Sequence, residues 1–356
     1  MKNKRVINYD LLRVVAMIGV ILIHVNGYFL YYTDVNIINF DVLNSYTAIV
    51  RFSALTFIMI SGAFLLDPNK KIDIKTIYKK YVLRTFLALV IFNTLYTICY
   101  YYFIYNFTGF GWIKMSIIRL ISGDVTGVQF WYLYAALWLY ILTPLFRIIT
   151  KNASKRQIEY LLIIGFIFTI FWPTLTSYWK FKILAFDKRV AHMDVTMSIG
   201  YSLYYFAGYY INHYWNEKYK KYNKYVYLLG FISLIFTIFI GSFVSKHYGQ
   251  VTLQRGFHYF SINVFIYTIS IFLLFKNLKL DKINDKLKKI ISYLSSRSFG
   301  VYLTHTLFIA LLVEKLPNMN SIILVPLFTI IITIISLIVT ELLGLIPFFR
   351  KKILMY

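Results

Sequence analysis

The chain of 356 residues is poor in the features of a water-soluble enzyme. Charged residues make up 15% of it, against about a quarter in a typical soluble domain, so a solvated surface around a single core is excluded. It has one cysteine, Cys99; no intrachain disulfide is possible and no thiol metal site is expected. Acidic residues number 14 against 38 basic ones, and carboxylate-rich cation sites are correspondingly scarce. There is no nucleophile elbow and no phosphate-binding loop. His192 and Asp194 are too few ligands for a metal site. Glycine and proline do not gather into a linker, no internal repeat is evident, and the loops reach only about 20 residues. A separate soluble domain is therefore not expected.

Apolar residues are abundant, at 59%, with 20% aromatic. They fall into recurrent runs of about 20 residues, the length of a membrane-crossing helix. Such windows predict ten spans, at 9–29, 45–66, 83–105, 130–149, 158–177, 197–213, 225–245, 258–276, 298–315 and 321–347. The net charge of +24 is not a nucleic-acid signature, because the basic residues sit in short clusters between apolar runs. With the N-terminus inside, the inner segments hold roughly 25 Lys and Arg and the outer loops about 9. This asymmetry predicts that both termini are cytoplasmic. Loop 178–196 breaks the pattern with Lys180, Lys182, Lys188 and Arg189, partly offset by Asp187 and Asp194. Lys2, Lys4 and Arg5 before the first run, with no small-residue cleavage site after it, predict a retained span rather than a signal peptide. The stretch KINDKLKKIISY (282–293) reads as a short amphipathic helix on the inner surface, its lysines toward anionic headgroups. The expected fold is an all-α polytopic membrane helix bundle, one domain over 1–356.

Ionisable residues inside spans are costly and mark either function or a structural pair. They are Arg13, His24, Arg51, Arg84, His258, His305 and Glu341. Arg13 and His24 are eleven residues apart. At 3.6 residues per turn that is three turns plus about 20°, so both share one helix face, separated by roughly 16 Å. Arg13 then sits near the cytoplasmic boundary, where snorkelling to headgroups is one reading. His24 lies deeper, where an imidazole needs a partner or a task. Arg51 either snorkels outward or contacts an acceptor. Glu341 is expected to pair with an intramembrane arginine, and His258 to lie at the interface.

An arginine, ten residues and a histidine in the first of ten spans resembles the membrane acyltransferase-3 family. FIMISGAFLL (57–66), with Ser61 and Gly62, is similar to the family's second-span segment. FWYLYAALWLYILTPLFR (130–147), with Trp131, Tyr140 and Pro144, resembles its Trp-aromatic…Tyr…Pro segment, and SFGVYLTHTLFI (298–309), with Tyr302 and His305, its Tyr-Leu-x-His segment. The four stretches occur in the family's order and span the chain.

The resemblance implies an enzyme that moves an acyl group, most often acetyl, from cytoplasmic acyl-CoA to a hydroxyl of an extracytoplasmic or lipid-linked glycan. It implies His24 and Arg13 as the essential pair, Arg13 also facing the donor. Arg51, Trp131, Tyr302 and His305 are candidates for the acceptor side. Imidazole, with an ordinary pKa of about 6.5, suits proton removal from a hydroxyl or acyl carriage, and arginine suits phosphate. The family's Arg-x-x-Arg pair appears here as YKKYVLRTF: Arg84 is present, Tyr81 replaces the other arginine, and Lys80 or Lys79 stands in. The expected partners are acetyl-CoA or another acyl-CoA as donor substrate, a glycan acceptor, the lipid bilayer of the cell membrane and polysaccharide-assembly proteins. No permanently bound cofactor, metal or nucleic acid is expected. The competing class is a polytopic exporter of a glycan or small solute. A transporter gives no reason for a base at the depth of His24, and no inverted repeat is evident.

Overall fold

The computed structural model describes residues 6–123, 127–178, 196–251, 256–280, 282–313 and 321–356. These residues form helices joined by short turns, without strands. Among the described residues seven helical segments are long and apolar enough to cross a membrane: Ile7–Tyr31, Ile38–Leu65, Ile74–Phe103, Val128–Asn152, Lys155–Leu175, Glu217–Tyr248 and Ser321–Leu345. The three other predicted spans fall on helices Thr196–Tyr214, Ile262–Lys276 and Asp285–Leu312. Loop 178–196 and Lys2, Lys4 and Arg5 lie almost wholly outside the described residues.

We label the principal helices α1 (Ile7–Tyr31), α2 (Ile38–Val50), α3 (Ser53–Leu65), α4 (Leu83–Cys99), α5 (Gly111–Ser122), α6 (Trp131–Asn152), α7 (Lys155–Phe166), α8 (Thr196–Tyr214), α9 (Asn223–Tyr248), α10 (Ile262–Lys276), α11 (Asp285–Leu312) and α12 (Ser321–Leu345). The second span falls where predicted, within the helical segment Ile38–Leu65, and a two-residue interruption at Arg51–Phe52 divides it into α2 and α3. One expectation needs correcting. The amphipathic stretch 282–293 is not a separate surface helix: Asn284 caps the start of α11 by accepting from the Lys286 N–H, and the helix runs unbroken to Leu312. No glycine or proline interrupts 285–299, so nothing stops the helix between its basic start and its apolar end.

Helix α1 lies at the centre. It packs against α2, α3, α10, α11 and α12 and contributes to all three hydrophobic clusters. Tyr9 and Leu12 join α3, α8 and α10; Met17, Ile21 and Val25 join α2, α11 and α12; Val20 meets Leu89, Phe92 and Leu133. Asn8 fixes its start by donating from Nδ2 to the carbonyls of Phe275, Lys276 and Leu278 at the end of α10, groups a helix end otherwise leaves unpaired. By contrast α12 exposes Ile323, Leu327, Ile330, Ile334 and Ile338. At three- and four-residue spacing these form one apolar stripe, suited to lipid.

The tightest crossing is α3 on α8. A Cβ on Gly62 would lie 1.9 Å from the carbonyl oxygen of Tyr205, and one on Gly208 would lie 2.0 Å from that of Met59. Backbone meets backbone here, as small residues allow between membrane helices. Beyond the crossing, Arg147 on α6 donates to the carbonyls of Leu65, Asp67 and Lys70. It thereby closes the end of α3 and the turn that leads towards α4.

Candidate active site

A chamber of about 340 Å³ opens beside α1. Arg13 and His24 both line it, as their shared helix face requires. The other stretches singled out in the sequence converge on the same space: Ser61 from α3, Trp131 and Tyr140 from α6, and Tyr302 from α11 line it as well. Pro144 stands four residues after Tyr140 inside α6 and has no N–H to offer the Tyr140 carbonyl. The Tyr140 hydroxyl lies 3.4 Å from Ser61 Oγ.

His24 faces a second imidazole. The ring centroids of His24 and His305 are 5.2 Å apart. His305 is 0% exposed and lies behind the chamber wall. Its Nδ1 is 2.7 Å from the Tyr302 carbonyl. A carbonyl only accepts, so Nδ1 carries the proton and Nε2 offers a lone pair. That Nε2 is buried without a hydrogen-bond partner. Tyr302 in turn donates its hydroxyl to the Gln129 carbonyl.

Arg13 is held from within its own helix. Its Nη1 is 3.1 Å from Oδ1 of Asp10, three residues earlier, a pairing that helix geometry favours. Asp10 is only 1% exposed and also accepts from Ser295 Oγ at 2.6 Å and Ser292 Oγ at 3.4 Å on α11. The guanidinium is thus aimed into the chamber by a carboxylate that α11 fixes. Asp10 escaped the sequence reading, although its i,i+3 spacing to Arg13 was visible.

Arg84 lines the chamber too, but much of its bonding is taken. Nε donates to the Ile353 carbonyl at 2.6 Å and Nη2 to that of Leu354 at 3.1 Å, with the guanidinium 4.3 Å from the Phe299 ring centre. Arg84 therefore ties down the π-helical turn Phe349–Leu354. Tyr81, where the resemblance expects an arginine, lines the chamber with its ring 5.6 Å from that of Tyr140. Lys80 is not in the chamber. It borders an adjoining groove with Arg350 and Lys351, and Met355 and Tyr356 edge both spaces.

Arg51 does not line the chamber either. Its Nε donates to the Phe257 carbonyl at 2.5 Å, and its guanidinium lies 4.1 Å from the centre of the Tyr259 ring. Tyr259 does line the chamber, 5.1 Å from Trp131, which also stacks on Tyr201 at 5.5 Å. Arg51 buttresses an aromatic wall from behind. His258 sits in the same part-buried turn, its Nδ1 accepting from the Phe260 N–H. Glu341 pairs with Arg297 at 2.7 Å, the structural ion pair expected of it. Among the described residues no group of three His, Cys, Asp or Glu could hold a metal ion.

Residues 6–341 match the acyltransferase-3 family, described as an acyltransferase domain. The chain belongs to that family. It is a membrane acyltransferase, and the acyltransferase-3 domain fills nearly its whole length. No curated protein and no solved structure matches it. Within this acyltransferase-3 domain the quoted stretches are brought to one chamber by α1, α3, α6 and α11, residues far apart in sequence.

The Asp10–Arg13 pair gives a first prediction. Asp10→Asn keeps the size and the contacts to Ser295 but removes the charge that orients Arg13. A charge-assisted bond is worth about 1.5–3 kcal/mol, so kcat/KM for the acyl donor should fall roughly 10- to 100-fold. Steady-state kinetics on the purified variant test this; unchanged kcat/KM would remove Asp10 from the orientation of Arg13.

Proposed function

We propose that the protein is an O-acetyltransferase, carrying acetyl from cytoplasmic acetyl-CoA to a hydroxyl of an extracytoplasmic or lipid-linked glycan. The observation that carries this reading is the chamber itself, with Arg13 and His24 on one face of α1. On this reading α1 is the first of ten spans across the cell membrane, with both termini cytoplasmic, as the charge asymmetry indicates. Arg13 then lies toward the donor side and His24 toward the acceptor side. The groove bordered by Lys80, Arg350 and Lys351 suits the phosphates of the donor, since it is basic and adjoins the chamber. The aromatic wall of Trp131 and Tyr259 suits a sugar ring. Proteins of polysaccharide assembly are the partners this acceptor would require.

The chemistry follows from the groups present. The acceptor oxygen attacks the thioester carbonyl carbon while His24 takes the hydroxyl proton. The C=O electron pair moves onto oxygen, then returns as the carbon–sulfur bond breaks. The CoA thiolate leaves and recovers the proton from the His24 imidazolium. Arg13 offsets negative charge along this path.

The test uses protein in nanodiscs with radiolabelled acetyl-CoA and extracted envelope glycans. CoA release with label appearing in glycan is the expected result. Absence of acetyl-CoA turnover with an acceptor present would overturn the acetyl-donor reading. Under the same conditions, Lys80→Ala with Arg350→Ala should raise the KM for acetyl-CoA by about tenfold or more, with kcat little changed. An unchanged KM would move the donor phosphates elsewhere.

A further inference from the structure

One buried lone pair beside the chamber has no use in the chemistry described so far. His305 is 0% exposed and lies behind the wall, so it cannot touch an acceptor itself. Its Nδ1–H is held by its own helix: the Tyr302 carbonyl accepts at 2.7 Å, and the Val301 carbonyl also bonds the ring. Nε2 keeps a lone pair and has no hydrogen-bond partner. A buried polar atom left unpaired in a native site asks for a reason. The turn that carries the ring is pinned on both sides. Tyr302 donates its hydroxyl to the Gln129 carbonyl, and Thr306 Oγ1 lies 2.7 Å from Gln129 Oε1 and 3.0 Å from the Tyr96 hydroxyl.

Two polar rings lie against this imidazole: Tyr302, at 5.9 Å between centres, and His24, at 5.2 Å. The Tyr302 hydroxyl has one proton and gives it to Gln129. His24 carries a ring N–H in either neutral tautomer. Hydrogen-bonded nitrogens lie about 2.9 Å apart, and a ring radius of about 1.1 Å at each end sets the two imidazole centres about 5 Å apart. The observed 5.2 Å matches that separation. The rings are tilted by 43°, and His24 borders open space into which it can turn. Catalytic hydrogen bonds are often out of line until substrate binds.

We infer that His305 is a positioning residue: its Nε2 accepts a hydrogen bond from one ring nitrogen of His24 and leaves the other unprotonated toward the chamber. This rests on the reading of His24 as the base. A base must be held in the right tautomer by a third group, and a neutral imidazole with a fixed lone pair does this here. When the acceptor hydroxyl gives its proton to the free His24 nitrogen, the charge that forms on the ring is met by the Nε2 lone pair. The CoA thiolate takes the proton back, so His305 ends each turnover as it began.

The test compares wild type with His305→Leu and His305→Gln in nanodiscs with radiolabelled acetyl-CoA. Leucine fills the site without an acceptor, whereas glutamine can present Oε1 where Nε2 stood. His305→Leu should lose about 10- to 100-fold in kcat, the worth of a hydrogen bond to a charged group. The KM for acetyl-CoA should stay within about twofold of wild type, and His305→Gln should recover most of the loss. Adding His305→Leu to His24→Ala should not lower the residual rate further, because the partner is already gone. A purely structural role would cost the same in both backgrounds. A second readout needs neither turnover nor a His305 variant. In wild type labelled with nitrogen-15 histidine, a nitrogen–nitrogen coupling through the shared proton should link two imidazoles and vanish in His24→Ala. Absence of that coupling would overturn the assignment. So would His305→Leu turning over within about threefold of wild type, glutamine serving no better than leucine, or an equal loss in the His24→Ala background. If His305→Leu fails to fold, the coupling decides. Wild type that releases no CoA from any acyl-CoA would overturn the acyl-CoA reading, and the coupling would still judge the histidine pair.

Discussion

His24→Ala should all but abolish acyl transfer. Removing a positioned general base costs about 10²- to 10⁴-fold in rate, and among the described residues no other imidazole lines the chamber. His305 is the nearest, 5.2 Å away between ring centres, but it is wholly buried and does not line the chamber. His258 is tied to the Phe260 N–H in another turn. The loss should appear in CoA release and in label transfer alike. It should leave folding nearly intact, because His24 borders a cavity and truncating it enlarges existing space rather than opening a void in a packed core. The informative comparison is therefore kcat beside the apparent unfolding temperature. A His24→Ala protein that folds and still transfers within tenfold of wild type would remove His24 from the chemistry.

Gly62→Ala should be the most damaging single methyl group in the molecule. Its Cβ would lie 1.9 Å from a backbone oxygen of α8, and a backbone atom cannot swing aside as a side-chain tip can. Overpacking typically costs about 1–3 kcal/mol and sometimes more; this site belongs at the upper end, since the helices must separate along their length. Gly208→Ala makes the reciprocal clash with Met59. The double variant should lose less than the sum, because one separation of α3 from α8 relieves both contacts. Unfolding in detergent followed by tryptophan fluorescence, with size-exclusion profiles, measures this. Wild-type stability for Gly62→Ala would mean that the crossing is looser than the geometry states. Ser61 next to it points toward Tyr140, so the Ser61–Gly62 stretch joins a chamber residue to a packing residue.

Much of this architecture is legible in the sequence because lipid imposes simple rules. Apolar runs of fixed length and charged clusters between them locate helices with little tertiary information. The shared face of Arg13 and His24 needed only the helical repeat. What stayed hidden depends on who faces whom. Arg51 and Arg84 look alike as lone arginines in spans. One proves to prop Tyr259 from behind and the other to grip the Ile353 and Leu354 carbonyls. Neither role has a local pattern. The break at Arg51–Phe52 carried no glycine or proline to announce it.

The centrality of α1 bears on how the protein is made. Asn8 must wait for carbonyls 267 to 270 residues further along, and Asp10 for a serine 285 residues away. During synthesis α1 reaches the bilayer with a carboxylate, a guanidinium and an imidazole on one face and none of α10 or α11 yet translated. Asp10 and Arg13, three residues apart, can neutralise each other within the helix during that interval. The same ion pair that aims the arginine in the finished enzyme thus also lowers the cost of lodging a polar helix in lipid before its partners arrive.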